Sequence, residues 1–438
     1  MRWDLRDFLI TVIAVALGCD SSPPGEQACS AICQYYCVPS CCSGAPPPEP
    51  GPPSGSFDCT KVAGARGLLS VEKPIPGRYV VVLHEGGTKE LSVTASRLAY
   101  GASAVESFRY AVQGFSASMT QARALEIARD PAVAFVEPEV EVSVLVVGKP
   151  DPVAEGERTA SVASWGLDRV DQRALPLDDV FDPGSDGAGV HAYVVDTGLD
   201  PTHPEFAGRV GEGFSAISTG GTLDGHGHGT HVSGTVAGAT FGIARGAIVH
   251  PVRVLDASGR GTSTGIIRGL DWVIQHVLAN RWPAVGNMSL GGSASSAIDT
   301  AVCRAIAAGV QFAVAAGNSA QPACSSSPAR VWQALVTAAS DAKDASASWT
   351  NRGPCADLYA PGVAIVSAQR GGGSVAMSGT SMASPHVAGI AALCLARHPG
   401  LNAAGVHSCV LERITKNVIT NPPSGTPNKL AYARDDVQ

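Results

Sequence analysis

Residues 379–389 read GTSMASPHVAG, and this stretch decides how the rest of the chain is interpreted. It places Ser381 between small residues at the predicted start of a helix. A hydroxyl is a weak nucleophile at neutral pH. Ser381 can therefore attack a substrate only if a base takes its proton and a carboxylate orients that base. Candidates for both lie upstream.

The candidate base is His228, in DGHGHGTHVSG, and the candidate carboxylate is Asp196, in VVDTG. His228 would take the proton from Ser381 and later donate it to a leaving amine, while Asp196 would hold the imidazole in the correct tautomer. The chain order Asp, His, Ser is that of subtilisin and differs from the orders of chymotrypsin and the α/β-hydrolases.

With these three motifs the chain resembles the subtilase family, and within it the proteinase K and aqualysin branch, from about Trp165 onward. The resemblance implies a serine endopeptidase with Asp196, His228 and Ser381 as its catalytic triad and no cofactor for catalysis. It also implies that Asn318, in AAGNS, and the backbone N–H of Ser381 stabilise the oxyanion of the tetrahedral intermediate.

The expected fold is α/β, a subtilisin-like doubly wound parallel sheet with helices on both faces, over residues 165–438. Short apolar runs (AYVVD, IVHPVRVL, VGNMSL, QFAVAA and ALVTAA) alternate with predicted helices at residues 265–279, 297–308 and 381–396. Continuous apolar strands between helices are typical of a parallel sheet that is covered on both sides. Catalytic and ligand-binding residues are expected at the carboxyl ends of its strands.

Residues 77–146 predict a small ferredoxin-like α/β domain. Its elements are a strand RYVVVL, a helix at 89–100, a strand FRYAVQGFSASM, a helix at 121–129 and a strand AFVEPEVEVSV. This segment resembles the inhibitory propeptide of subtilisin-like proteases. The resemblance implies a zymogen that the chain's own propeptide inhibits until it is cut, within residues 142–164. Residues 147–164 are predicted to be a polar linker that carries the maturation site.

Residues 1–19 predict a signal peptide with the apolar core FLITVIAVALG, and hence export to the extracellular side. Cys19 follows a partial lipobox, so plain secretion and lipid anchoring both remain open, with an uncleaved anchor as a third reading. Any membrane contact would be through this anchor. Residues 20–70 form a predicted Cys- and Pro-rich linker whose run APPPEPGPPSG is typical of a semi-rigid spacer.

Twelve cysteines in an exported chain favour disulfides. Six of them crowd the N-terminal linker, and bridges among them are favoured over metal binding: Cys29, Cys33, Cys37, Cys41, Cys42 and Cys59. Of the five downstream, the resemblance implies a bond between Cys324 and Cys355. Cys394 could pair with Cys409, which would leave Cys303 free.

A substrate peptide is expected to bind as an added strand, because an extended chain offers unpaired N–H and C=O groups to an exposed edge. The resemblance implies two flanking segments, Gly259, Arg260, Gly261 and Ser289, Leu290, Gly291. It also implies a first pocket that takes apolar or aromatic side chains with broad tolerance. Arg260 would add a preference for acidic or polar groups beyond the first pocket, although an exposed arginine is more often simply solvated.

A structural calcium ion is a further implication of the resemblance. Asp357, in CADLYAPG, would bind it together with the carbonyl oxygens of Trp332 and Ala334. One carboxylate with carbonyls and waters suffices for a hard cation. The alternative is an ordinary strand aspartate.

Other interpretations of the sequence are less favoured. His226, His228 and His231 could form a metal cluster, and Ser263, in GTSTG, fits the short elbow pattern of an esterase, but neither has its required companions. An inactive homologue acting as an anchored binding module would have lost a catalytic residue, and none is lost. The net charge of −7 argues against nucleic-acid binding. We expect a monomer that acts on polypeptides.

Overall fold

A computed structural model of the chain describes residues 52–59, 66–84, 103–152 and 162–436. They belong to one compact unit, Pro52–Gln438. The predicted signal peptide with Cys19, the five cysteines between residues 29 and 42, the helix at 89–100 and much of the predicted linker lie outside the described residues. Within the described ranges, no helix is both long and apolar enough to cross a membrane.

The N-terminal α/β domain is an antiparallel sheet with strands in the order β5-β2-β4-β3. The elements are β1 (Gly67–Leu68), β2 (Pro74–Leu83), β3 (Ser103–Phe108), β4 (Gly114–Ser118), α1 (Gln121–Ile127) and β5 (Val133–Val144). β1 lies parallel to β5. Helix α1 begins after Thr120, whose hydroxyl accepts the N–H of Arg123.

The prediction of one strand over FRYAVQGFSASM is wrong, because the chain turns between β3 and β4. Three consecutive N–H groups in this turn, those of Arg109, Tyr110 and Ala111, are donated to the carboxylate of Asp271 at 2.6–2.9 Å. The turn is thus fixed by a residue some 160 positions away.

The C-terminal domain alternates strands and helices along the chain. Its strands are β6 (Val147–Pro152), β7 (His191–Asp196), β8 (Phe214–Ser215), β9 (Ile248–Arg253), β10 (Arg260–Thr262), β11 (Ala284–Met288), β12 (Leu290–Ser293), β13 (Gln311–Ala315), β14 (Ser326–Ser327), β15 (Leu335–Ser340), β16 (Leu358–Pro361), β17 (Ile365–Ala368), β18 (Ser374–Ser378), β19 (Thr415–Lys416) and β20 (Lys429–Leu430). Its helices are α2 (Trp165–Asp171), α3 (His228–Ala237), α4 (Ser263–Asn280), α5 (Ser296–Ala307), α6 (Thr380–Arg397) and α7 (Ala403–Glu412), with 3₁₀ turns at Pro204–Phe206 and Ala323–Ser325.

Nine of these strands form the central sheet, in the order β19-β20-β16-β15-β13-β11-β7-β9-β8, parallel except for β19. Side chains on β7 alternate between two apolar layers. Val194 packs with α3 and α6 on one face, while Tyr193 and Val195 pack with α4 and α5 on the other. The predicted doubly wound fold with helices on both faces is confirmed. Asp196 ends β7, and Asn318 lies just beyond β13, at the carboxyl edge of the sheet.

The two domains share backbone pairing. β5 runs antiparallel to both β10 and β12, so the N-terminal sheet continues into the C-terminal domain. The first part of the predicted linker is also a strand, since β6 pairs with β18. Polar, Pro- and Gly-bearing sequence indicates a linker when read alone. Here β18, whose other side pairs with β17, supplies the partner that makes it a strand.

Three disulfides connect described residues: Cys59–Cys303, Cys324–Cys355 and Cys394–Cys409. The prediction that Cys303 is free is wrong, as is the assignment of Cys59 to a local N-terminal knot. The bond between them spans 244 residues. Cysteine spacing reveals nothing about a contact that only the folded domain brings together.

Candidate active site

Asp196 and His228 form a buried hydrogen-bonded pair. Asp196 is the last residue of β7 and His228 the first of α3, so both lie at the carboxyl edge of the sheet. The Nδ1 atom of His228 is 2.7 Å from Oδ1 of Asp196, and both side chains are fully buried. This contact leaves Nε2 of His228 as the nitrogen that can exchange a proton, and Nε2 has no hydrogen-bond partner among the described residues.

Asp224 holds the loop that leads into α3, and the sequence interpretation missed it. Its carboxylate accepts the N–H groups of His226, Gly227 and Thr230 and the hydroxyls of Thr197 and Thr230. Although burial alone raises its pKa, these donors keep the pKa of Asp224 below its ordinary value. The only sequence signal for this role is its place at the head of DGHGHGTH.

Ser381 lies at the start of α6 against a peptide unit of the chain's own N-terminal domain. Its hydroxyl donates to the carbonyl oxygen of Ser289 at 2.9 Å and accepts the N–H of Leu145 at 3.1 Å. The backbone N–H of Ser381 points to the carbonyl oxygen of Leu145 at 3.4 Å. A peptide bond of this chain, Leu145–Val146, therefore occupies the position next to the candidate nucleophile.

The side-chain amide of Asn318 is oriented toward the same place. Its Oδ1 accepts both the N–H and the hydroxyl of Thr380, at 2.9 and 2.8 Å, which fixes the amide plane. Its Nδ2 is buried and has no hydrogen-bond partner among the described residues. A buried donor without a partner is costly unless another state of the site uses it.

Gly379 shows how closely these groups converge. A Cβ atom at this position would stand 2.3 Å from the Leu145 carbonyl oxygen and 3.2 Å from Nδ2 of Asn318. No side chain fits there, so glycine is required for the backbone of the bound peptide to approach. The Leu145 carbonyl oxygen and Nδ2 of Asn318 therefore both lie close to Gly379, and the N–H of Ser381 points to the same oxygen.

The N-terminal domain enters this site as an added strand. Val142 and Ser143 of β5 lie between β10 and β12. Val142 is opposite Gly261 of β10, and Ser143 is opposite Gly291 of β12. The N–H of Val144 adds a bond to the Gly259 carbonyl at 3.0 Å. Of the predicted flanking residues, five border this segment: Gly259, Arg260, Gly261, Leu290 and Gly291. The sixth, Ser289, contacts Ser381 instead.

Comparison with known proteins is consistent with this arrangement. The family model described as "Subtilase family" matches residues 187–429, and the one described as "Peptidase inhibitor I9" matches residues 78–145. The chain belongs to the subtilase family. It is 43% identical to an extracellular serine proteinase of Thermus sp. (strain Rt41A), over 83% of this chain and 92% of the relative. It is 40% identical to the subtilisin-like serine protease Pen c 1 of Penicillium citrinum, over 73% and 78%.

A solved structure of a cold adapted subtilisin-like serine proteinase is also similar. It is 46% identical, has a TM-score of 0.60, and is matched over 62% of this chain and 98% of its own. Family, relatives and structure agree that this subtilase is a subtilisin-like serine endopeptidase with an I9 propeptide domain in front of it.

The cleft of the subtilase beside Leu145 has a volume of about 810 Å³. Small residues form much of its wall: Gly291, Gly292, Ala315, Ala316 and Gly317. Residues 72–76 of the propeptide domain also line it. Arg260 pairs with Glu141 of the propeptide at 3.7 Å, but both side chains are about two-thirds exposed, so this pair contributes little to binding.

The alternative sites are not assembled. His231 donates its Nε2–H to the backbone carbonyl of Ile365 while His228 contacts Asp196, so the histidines of GHGHGTH do not converge. Among the described residues, no group of three or more His, Cys, Asp or Glu could hold a metal ion. Ser263 is buried and its hydroxyl accepts the N–H of Val140.

Asp357 is a half-buried residue that immediately precedes β16. Its Oδ2 accepts the N–H of Val336 at 2.8 Å, and burial raises its pKa to about 7 although the charge of Lys429 opposes this rise. A half-buried carboxyl with few hydrogen-bond donors has the chemistry to bind a cation. The carbonyl of Trp332 is predicted to bind the ion together with Asp357. The N–H of the same residue donates to the carbonyl oxygen of Phe57.

Glu137 of the propeptide caps a helix of the catalytic domain. Its carboxylate accepts the hydroxyl of Ser295 and the N–H groups of Ser296 and Ala297, at the N-terminus of α5. Burial raises its pKa to about 7, against the lowering effect of these donors. Contacts of a carboxylate with a helix N-terminus are favourable because both the free N–H groups and the helix dipole attract it.

We expect Glu137→Ala to weaken the contact between propeptide and catalytic domain. In a precursor that also carries Ser381→Ala, the substitution should lower the free energy of unfolding by about 1–3 kcal/mol, because it leaves helix donors unpaired. Urea unfolding measures this. The matched control is Glu141→Ala on the same strand, whose exposed carboxylate should contribute less than about 0.5 kcal/mol. Equal effects of the two substitutions would contradict the capping role.

Proposed function

We propose that this subtilase hydrolyses extended polypeptides with Asp196, His228 and Ser381, and that it is made as a zymogen that cuts its own chain between Leu145 and Val146. One observation carries the proposal. The carbonyl group of Leu145 lies against the N–H of Ser381 while the chain passes through the cleft on both sides, as β5 before it and β6 after it.

The chemistry follows from the groups present. Oγ of Ser381 leaves the Ser289 carbonyl, donates to the free Nε2 of His228 and attacks the carbonyl carbon of Leu145. His228 passes the proton to the nitrogen of Val146, which departs and leaves an acyl-enzyme on Ser381. A water molecule, activated by His228, then releases the Leu145 carboxylate.

Charge is stabilised at two places during this reaction. Asp196 orients the imidazole through Nδ1 and stabilises the imidazolium when it forms. The oxyanion on the Leu145 carbonyl is stabilised by the N–H of Ser381 and by Nδ2 of Asn318, the buried donor that has no other partner.

Specificity is proposed to be broad and apolar at the first pocket. Leu145 stands at a cleft whose wall includes small glycine and alanine residues beside several serines, so an apolar side chain of varied size has room there. The neighbouring residues 142–144 are held through their backbone, which every peptide shares. Peptides with apolar residues before the cut bond should therefore be preferred.

Export is proposed from the N-terminal sequence and the relatives. The Thermus relative is named an extracellular proteinase, and three disulfides suit an oxidising compartment. Plain secretion and lipid anchoring at Cys19 both remain proposals. An intact-mass measurement separates them, because acylation adds the mass of fatty acids to the N-terminal fragment.

Calcium at Asp357, with the carbonyls of Trp332 and Ala334, is proposed to stabilise the catalytic domain. In a Ser381→Ala precursor, which cannot digest itself, chelation with EGTA should lower the melting temperature by roughly 5 °C, since loss of a bound ligand removes its linkage free energy. Asp357→Asn should melt at the same temperature with and without chelator. If neither EGTA nor added Ca²⁺ changed the melting temperature of the precursor that retains Asp357, the site would be ruled out.

Hydrolysis of casein or of succinyl-Ala-Ala-Pro-Phe anilide, with and without a serine-directed inhibitor, tests the proposed function. Inhibitor-sensitive hydrolysis after maturation is the expected result. If a correctly matured protein shows none, the alternative of an anchored binding module is favoured.

A further inference from the structure

The segment Pro52–Cys59 precedes the propeptide domain but is attached to the catalytic domain. Phe57 forms a β-bridge with Val331: its N–H bonds the carbonyl of Arg330 at 2.6 Å, and its own carbonyl accepts the N–H of Trp332 at 3.0 Å. The guanidinium of Arg330 lies 5.5 Å from the centre of the Phe57 ring. This segment therefore has a docking site of its own, separate from the active-site cleft.

Side-chain contacts extend the same attachment. The amide of Gln333 accepts the N–H of Cys59 through Oε1 at 3.1 Å and donates to Asp58 through Nε2 at 3.0 Å. Cys59 is then bonded to Cys303 in α5, with a Cα–Cα distance of 5.3 Å, which is typical of a disulfide. The linkage joins residues on opposite sides of the Leu145–Val146 bond in the chain.

We infer that the fragment released by cleavage at Leu145 stays covalently joined to the catalytic chain through Cys59–Cys303. The mature enzyme is then a two-chain molecule, and the N-terminal segment that carries the cysteine-rich region is a permanent part of it. This inference rests on the proposed self-cleavage. The bond itself, and the docking of Pro52–Cys59, do not depend on that cleavage.

The linkage changes how the propeptide inhibits. A free product fragment dissociates on dilution, whereas a tethered one faces the cleft at an effective concentration on the order of millimolar whatever the total protein concentration. Inhibition therefore ends only when the propeptide domain is degraded or the disulfide is reduced. Degradation still leaves the peptide that contains Cys59 on α5.

The test is the mass of the catalytic chain from matured wild-type protein, treated first with a serine-directed inhibitor and then with a thiol-blocking reagent to prevent exchange. Without reductant, we expect the catalytic chain to carry at least the peptide that holds Cys59. With reductant, that mass should be lost. A catalytic chain of the same mass under both conditions would overturn the inference.

Two double variants test which disulfide joins the chains, and neither leaves a partner cysteine as a free thiol. Cys59→Ser/Cys303→Ser should release the N-terminal fragment without reductant. Cys394→Ser/Cys409→Ser removes a bond that lies within the catalytic chain and should leave the two chains joined. Retention of the fragment in both doubles under denaturing conditions would contradict a tether through Cys303.

Failure of the proposed function gives a different result. If reduced wild-type protein shows one intact chain, cleavage at Leu145 does not occur and the zymogen proposal fails. Peptides from a non-reduced digest then decide the bond alone: a peptide pair linking Cys59 to Cys303 supports it, and separate peptides overturn it.

Discussion

Ser381→Ala leaves the precursor as one uncut chain and lowers peptide hydrolysis by about a millionfold, a magnitude known from the corresponding serine of subtilisin in the same family. Among the described residues, the Leu145 peptide unit contacts two groups of Ser381, the Oγ atom and the backbone N–H, and of these two the Oγ atom is the nucleophile. The measurement is a reducing gel of the purified variant, prepared without other proteases, together with an anilide assay.

Ser263→Ala is the matched control for this prediction. Ser263 lies in the alternative motif GTSTG, and its hydroxyl only accepts the N–H of Val140. Its loss should lower the free energy of unfolding by about 1 kcal/mol and leave turnover near that of the wild type. Efficient maturation of the Ser381→Ala protein in the absence of other proteases would contradict the self-cleavage proposal.

Asn318→Leu should lower kcat by about 100- to 1000-fold while KM changes by only a few-fold. The magnitude again comes from subtilisin. The physical reason is that Nδ2 has no partner in the precursor, so its hydrogen bond is formed only when the carbonyl oxygen becomes negative. Steady-state kinetics of the matured variant on a peptide anilide separates the two constants.

Asn318→Asp separates the lost donor from lost support of Thr380. The aspartate keeps an oxygen for the N–H and hydroxyl of Thr380 but has no amide donor. We expect it to be as slow as the leucine variant. If either substitution raised KM and left kcat unchanged, Asn318 would be a substrate-binding residue with no role in the transition state.

The parallel sheet was predictable because its strands are short apolar runs between helices, and a strand buried on both faces has that pattern whatever its neighbours. The subtilase family was also predictable from the motifs around Asp196, His228 and Ser381, since each chemical role requires one residue type. The catalytic assignments themselves stay predictions until the variants above are measured.

What the sequence could not reveal depends on contacts between distant residues. The turn between β3 and β4 is fixed by Asp271, β6 needs β18 as its partner, and Cys59 meets Cys303 only after both domains fold. Asp224 was missed for a related reason, because its role is expressed in five hydrogen bonds and in no motif of its own.

The central claim is that Ser381 is the nucleophile, and active-site labelling tests it most directly. Matured protein is treated with a fluorophosphonate, digested, and the modified residue is located by mass spectrometry. We predict a single adduct, on the peptide that carries Ser381. An adduct on Ser263, or on no serine at all in protein that hydrolyses peptides, would contradict the account.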